Sequence, residues 1–347
     1  GVRRVIDLLK QLSLLDGVSG REDAVRDFIR KEVSPYADCT TDALGNLIVR
    51  KKGKKTSEKI LMFSAHMDEV GLIIHSVNDD GYLSFSPVGG IDPRVLLGRS
   101  VCVGEHKVYG VIGSRPIHLL DSNERKQAPD FQQLYIDIGA KNKEMAEQAV
   151  SLGDYACFDS EFVRFGNGFL KGKAFDDRAG CAVLIELIKQ PLPYDTVFAF
   201  TVQEEVGTRG AATAAFTVRP DYAIVVEATT AADIADVKPE QQVCVLGKGS
   251  VISFMDGRTI YDRGLYRLAF DTAKAQGLPC QPKAGVSGGN DAGAIHLSRE
   301  GVRTLAVSLP CRYLHSASCV IREDDLANTA ALVKAVGEKI LTDGVSS

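Results

Sequence analysis

Two residues apart, at the end of an apolar run, the chain carries a histidine and an aspartate: Leu61-Met-Phe-Ser-Ala-His66-Met-Asp68-Glu69-Val-Gly71. An imidazole is a ligand for borderline metal ions, and a carboxylate two residues on can orient that ring through its other nitrogen. Four further places have the same character, with a polar group set just beyond a buried element. They are Asp176-Asp177 before an apolar helical stretch, Gln203-Glu204-Glu205 after Val202, Glu227 after Val226, and His315 six residues beyond Leu309. Two imidazoles with three or more carboxylates suit a pair of divalent ions sharing one carboxylate, and the imidazoles favour zinc or cobalt over magnesium. Such a pair polarises a carbonyl and acidifies a bound water, which is hydrolytic chemistry.

The elements that must position these groups alternate. Residues 5–15 have helical spacing, and Ser19 with Glu22 reads as a capping box opening a second helix through Val33. The apolar run from Ile60 to Phe63 predicts a strand that delivers His66 and Asp68 at its carboxyl end. That is where open α/β sheets keep their chemistry. Thr196–Val202 and residues 221–226 are apolar without alternation, as strands covered on both faces are. Helices are expected over residues 261–276 and 323–341, a strand over 304–309, and a buried helix from Asp176 to Ile188 with both carboxylates at its N-terminus. Between residue 71 and about residue 165 the pattern changes to short alternating strands with glycine turns, only residues 141–150 reading as helix. That stretch is expected to be a separate β-rich domain inserted between two α/β portions.

The 347 residues carry a net charge of -4, so no basic excess exists to neutralise nucleic-acid phosphates. No apolar run approaches the ~20 residues of a membrane span. No signal peptide precedes the first helix, and the eight cysteines lack any Cys-x-x-Cys pair. They read as buried thiols of a cytoplasmic protein.

His66-Met-Asp-Glu-Val-Gly71, Lys173-Ala-Phe-Asp-Asp-Arg178, Gln203-Glu-Glu-Val-Gly207, the run from Gly288 to Gly301 and His315-Ser-Ala-Ser together resemble the successive motifs of one peptidase family. This is the dinuclear metallo-aminopeptidase family that includes glutamyl aminopeptidase and the tetrahedral aminopeptidases. The resemblance runs through essentially the whole chain. It implies a mixed-sheet α/β catalytic domain of the dizinc-aminopeptidase type, residues 1–66 and 166–347, with a small β-barrel domain, residues 67–165, inserted for dimerisation and higher assembly. It further implies that Asp176 bridges two ions, that His66 and Glu227 complete one site and Glu205 and His315 the other. Glu204 would then be the general base and Asp68 would steady His66. Zinc is the expected metal, with cobalt or manganese as alternatives. The family often has Asp where this chain has Glu227, and the extra methylene shifts that carboxylate. The implied substrates are short peptides and the implied assembly a homo-oligomer, in the family a tetrahedral dodecamer.

Other readings share some of these residues. A metal-dependent deacylase of N-acyl amino acids would use the same water attack with a different pocket. A glycosidase would need two unligated carboxylates flanking a sugar. A scaffold would need no metal at all. Cys311 or Cys319 near His315 would permit thiol catalysis. Arg258 and Arg312 are the cations that would favour an acidic substrate side chain if either lined the pocket.

Overall fold

In the computed structural model, which describes residues 2–345, the first expected catalytic segment begins at Val2, Gly1 lying outside the described residues. An eight-stranded mixed sheet forms the centre. Its order runs Asp38–Thr41, Leu47–Lys51, Thr196–Thr201, Leu61–His66, Tyr222–Thr230, Arg303–Cys311, Ser250–Ile252, Cys280–Pro282. The four middle strands, from Thr196–Thr201 to Arg303–Cys311, are mutually parallel, and antiparallel partners flank them. Every residue of Leu61–His66 and of Thr196–Thr201 is buried, which explains why neither alternates. Phe63 stacks on Phe198 across neighbouring strands, ring centroids 5.3 Å apart.

Helices cover both faces. Val2–Ser13, Phe175–Ile188 and Glu323–Asp343 pack on one side with a large aliphatic cluster. Arg209–Val218 and Ala292–Ile295 close the other with Ala211, Ala214, Ala215 and Ile295. The closing helix approaches so tightly that a Cβ at Gly337 would lie 2.4 Å from Phe63, so only glycine fits there despite its cost of ~1 kcal/mol in a helix. Helix Phe175–Ile188 is buried along its whole length, as its all-round apolar sequence requires. Its first carboxylates precede the regular turns: Asp176 and Asp177 have non-helical backbone angles, the peptide between them is cis, and Asp177 caps the helix beyond by accepting the Gly180 N–H at 3.0 Å.

The β-rich stretch closes into a six-stranded barrel, ordered Gly71–Val77, Leu83–Val88, Tyr135–Asp137, Val108–Gly113, Ser100–Val103, Tyr155–Phe158. Leu72, Ile74, Leu83, Phe85, Val101, Val103 and Ile136 fill it as a core of its own. Closure pairs the strands that an open sheet would leave as edges. The fold is thus the expected α/β domain carrying an inserted small β-barrel. A three-stranded sheet, Val163–Phe165, Phe169–Gly172 and Cys319–Arg322, lies beside the return from the barrel.

One local reading is corrected. Ser19 and Glu22 make no capping box, for helix Asp23–Val33 has no side-chain cap. Ser19 Oγ donates instead to Asp68, and Glu22 accepts from Gly20 and Gln203. Ser19 is taken by a tertiary partner and Glu22 is shared between the neighbouring Gly20 and the distant Gln203, and sequence spacing reveals neither Asp68 nor Gln203. No helix among the described residues is long and apolar enough to cross a membrane.

Candidate metal centre

Strand order brings the polar groups together. Leu61–His66 lies between Thr196–Thr201 and Tyr222–Thr230 in parallel register, with Thr201 opposite His66 and Val225 opposite Ser64. Counting two residues on from the second pair puts Glu227 level with His66. Glu204 and Glu205 follow three and four residues after Thr201, and His315 follows the strand on the far side of Glu227. All emerge at the carboxyl edge of the sheet.

Asp176 sits between the two histidines. Its Oδ1 is 3.1 Å from His66 Nε2 and its Oδ2 is 3.3 Å from His315 Nε2. His66 Nε2 also lies 3.4 Å from Glu227 and 3.9 Å from Glu204, and His315 Nε2 lies 3.2 Å from Glu205. Both rings are held the same way. His315 Nδ1 is 2.7 Å from the carbonyl of Gly90, and His66 Nδ1 is 3.0 Å from the carbonyl of Asp68. A carbonyl only accepts, so each Nδ1 bears the hydrogen, and in the neutral ring each Nε2 turns a lone pair toward the carboxylates.

Asp68 does more than face His66. Its Oδ1 lies 3.3 Å from His66 Nδ1 and accepts the Glu204 N–H at 3.0 Å. Its Oδ2 accepts the Glu205 N–H at 3.1 Å and the Ser19 hydroxyl at 2.6 Å. One buried carboxylate therefore ties the histidine to the Glu204–Glu205 turn. The backbone entering that turn is unusual, with Gln203 at φ 55, and Ala174 and His315 lie at φ 55 and 59. Non-glycine residues held in this region cost ~1–3 kcal/mol each and concentrate at functional sites.

The electrostatics demand a cation. Burial opposes charge on every carboxylate here and pushes Glu204 and Glu227 well above the ordinary glutamate range; the neighbouring carboxylates add to it. Burial works against the imidazoliums too, but the charge of Glu227 and hydrogen bonds donated to Asp176 and Asp68 hold His66 well above its usual value. Asp176 and Glu205 overcome the same penalty at His315 and raise it to about 11. Against burial, the two imidazoles hold Asp176 far below the carboxylate range. One oxygen each of Glu205 and Glu227 is buried with no hydrogen-bond partner. Orphaned buried carboxylate oxygens are costly and call for an ion. Oxygen and imidazole donors within 4.8 Å of one another, as in His66, Asp176 and Glu205, fit a divalent metal.

Neighbouring acidic groups do other work. Asp177 accepts from the backbone of His66 and Gly180, which locks strand to helix. Glu69 is buried against Lys173 Nζ at 2.8 Å and Arg178 Nη2 at 3.2 Å, and it accepts the Gly17 N–H. Asp16, Glu69 and Cys157 also gather closely, but Lys173 already supplies their cation. The thiol alternative finds no support: Cys311 and Cys319 are buried, and their sulfurs donate to the carbonyls of Arg312 and Ser316, not to His315.

A cavity of about 230 Å³ opens onto Asp176, Glu204, Glu205, Glu227 and His315 and extends to Lys283, Thr229 and Gly288. Lys283 was not legible as a site residue. In Gln-Pro-Lys-Ala it reads like any surface lysine, yet it is 8% exposed.

An α/β domain that gathers two imidazoles and four carboxylates beside a cavity at its sheet edge, with a β-barrel inserted, is the architecture of a metallopeptidase. Residues 45–332 match the family model of M42 glutamyl aminopeptidase, and the chain belongs to that family. It is 32% identical to lysyl aminopeptidase of Pyrococcus furiosus over 96% of this chain and 97% of the relative. It is 30% identical to glutamyl aminopeptidase of Lactococcus lactis over 99% and 98%. The solved TET1 peptidase of Pyrococcus horikoshii, described as able to assemble into a tetrahedron or a large octahedral shell, superposes with a TM-score of 0.84 at 38% identity, covering 96% of this chain and 98% of that one. The chain is accordingly a hydrolase, a metal-dependent aminopeptidase that works with divalent ions.

Proposed function

We propose that this aminopeptidase releases the N-terminal residue of short peptides with two metal ions per subunit, zinc first and cobalt or manganese as alternatives. The observation that carries the reading is Asp176, whose two oxygens each face a different imidazole at 3.1 and 3.3 Å, an arrangement suited to a bridging carboxylate. In this reading His66 and Glu227 hold one ion beside Asp176, and Glu205 and His315 hold the other. When bound, the ions supply Lewis acidity that polarises the scissile carbonyl and acidifies water. Glu204 lies farther from His66 Nε2 than Asp176 or Glu227 does, so it is assigned to the proton instead. Its carboxylate takes a proton from water and returns it to the leaving amine. Burial raises its basicity, which suits a base working near neutral pH. Asp68 positions both His66 and the backbone of Glu204. The acidic wall of the cavity accepts the substrate's free α-amine, which confines cleavage to the N-terminus.

Residues 67–165 are proposed as the assembly module. Ile117, Leu119 and Tyr109 are 69%, 60% and 57% exposed there, and exposed apolar surface of this kind favours a partner. A tetrahedral dodecamer of this chain, like the assembly described for the Pyrococcus horikoshii relative, would admit peptides and exclude folded proteins; native mass tests it. Eight free thiols fit a reducing cytoplasm.

Glu204→Gln tests the mechanism. It should keep its metal by elemental analysis while turnover of an aminoacyl anilide falls ~10²–10⁴-fold. Near-normal turnover in metal-replete variant would remove Glu204 from the role. Faster cleavage of N-acetylated amino acids than of aminoacyl anilides would favour the deacylase reading.

A further inference from the structure

We propose that Cys311 and Cys319 form an oxidation site, where a peroxide converts the two thiols to a disulfide and so displaces His315 from the metal centre. The second half of this inference rests on the reading of His315 as a metal ligand.

The two cysteines bracket the loop that carries His315. Strand Arg303–Cys311 ends at the first, and strand Cys319–Arg322 begins at the second. Just beyond, Arg312 and Val320 face each other in an antiparallel bridge and exchange backbone hydrogen bonds of 2.9 and 3.0 Å. Each cysteine precedes one bridge residue, so both point to the face opposite Arg312 and Val320 and stand diagonally across it. Both belong to the large aliphatic cluster, whereas Val320 packs in a separate one. Both thiols are free and lie within hydrogen-bonding reach of each other. Cys319 also touches the loop, its Sγ lying 3.6 Å from the Ser316 carbonyl. A second, smaller cavity of about 10 Å³ has Cys319 on its wall, together with Asp176, Glu205, His315 and Ser316. That space suits a molecule of about water's size, which admits hydrogen peroxide and excludes a peptide-sized oxidant such as glutathione disulfide.

The Cys319 sulfur attacks one peroxide oxygen, the O–O bond breaks, and the departing hydroxide takes the thiol proton as water, leaving a sulfenic acid. The Cys311 sulfur then attacks that sulfur, the S–O bond breaks, and the second hydroxide leaves as water with the Cys311 proton. Two thiols are oxidised and one peroxide is reduced to two waters. Forming the S–S bond shifts the backbone. Diagonal neighbours across antiparallel strands stand ~7–8 Å apart. A disulfide holds its Cα atoms ~4.4–6.8 Å apart. The strand end resists, because Arg312 is fixed to Val320 and forms a two-pronged pair with Asp233, both contacts 2.8 Å. That pair also takes the charge of Arg312 away from any substrate. The displacement therefore falls on the loop, where Tyr313 and His315 hold φ 57 and 59 and Ser316 loses its contact with the Cys319 thiol. His315 is aimed by its hydrogen bond to the Gly90 carbonyl, and a shift of the loop draws the ring away from Asp176 and Glu205.

The experiment exposes metal-loaded wild type, C311A and C319A to hydrogen peroxide, then reads disulfide linkage by peptide mass mapping, bound metal by elemental analysis and turnover of an aminoacyl anilide. Mapping is needed because Cys102 and Cys157 also face each other, across two barrel strands. Wild type should yield a Cys311–Cys319 linked peptide lighter by two hydrogens, lose metal, and slow by roughly 10²-fold. Dithiothreitol with added metal should restore it, and glutathione disulfide should leave it unchanged. C311A and C319A should start with wild-type turnover, form no such link and keep their metal through the same exposure. Absence of the link in wild type, a link formed with metal and turnover retained, or equal and dithiothreitol-reversible loss of metal in both variants overturns the proposal. Wild type that binds no metal before oxidation sinks the metal-centre reading instead, and the linkage map still decides whether the two thiols join.

Discussion

Asp68→Asn is the perturbation that most directly probes how the site is held. Asp68 is fully buried and spends both oxygens: Oδ1 on the Glu204 N–H and His66, Oδ2 on the Glu205 N–H and Ser19. An amide keeps one acceptor oxygen and turns an NH₂ toward whatever faced the other. If the amide nitrogen takes the Oδ1 position it meets the Glu204 N–H and the His66 Nδ1–H, donor against donor. In the other orientation it meets the Glu205 N–H, and only the Ser19 hydroxyl can rotate to compensate. At least one buried backbone donor is stranded either way, at ~1–3 kcal/mol. Loss of the charge beside His66 also weakens the ring that Asp68 orients, and changes of this kind cost ~10–100-fold in metal affinity. The turn carrying Glu204 loses its anchor as well, and misplacement of a reacting group by ~1 Å costs ~10²-fold in rate. The variant should therefore bind metal ~10–100-fold more weakly by chelator competition, and remain ~10²-fold slower even at saturating metal. A folded Asp68→Asn protein with unchanged metal affinity and turnover would refute the argument that one carboxylate couples the histidine to the glutamate turn.

Metal uptake should release protons. Asp176 and Glu205 raise the metal-free pKa of His315 to about 11, above the ordinary value of about 6.5, so the ring is charged at neutral pH and an ion must displace its proton. Affinity should rise between about pH 6 and pH 9, and calorimetry in buffers of different ionisation enthalpy should count the protons; a pH-independent affinity would contradict it. In the metal-free protein the sign is the usual one for a raised group. The stabilisation from His315 is fully present below about pH 6.5 and is lost as pH rises through about 11. Glu69→Gln should destabilise the fold by ~3–5 kcal/mol in urea unfolding, because it leaves Lys173 and Arg178 buried without their shared carboxylate. A loss under ~1 kcal/mol would mean that Asp16 and the surrounding carbonyls suffice.

The sequence by itself determined the strands and their character. Runs such as Leu61–Phe63 and Val197–Phe200 are apolar throughout because both faces are covered, and His66 and the Glu204–Glu205 pair appear where such runs stop, whereas strand Tyr222–Thr230 continues past Glu227, beyond the end expected at residue 226. The change of period after Gly71 likewise announced a second β module, since alternation follows from a sheet with one buried face. Tertiary structure decided which polar groups meet. Parallel register sets His66 between the Glu204 turn and Glu227, and no spacing along the chain encodes that order. It also decided what holds them. The carbonyl that orients His315 belongs to Gly90 in the stretch between barrel strands, 225 positions away. Ser19 and Glu22 look like a cap by spacing, but their partners Asp68 and Gln203 arrive through the fold. Lys283 is the plainest case: charge type is written in sequence, whereas burial at the wall of the cavity is a property of the packed interior alone.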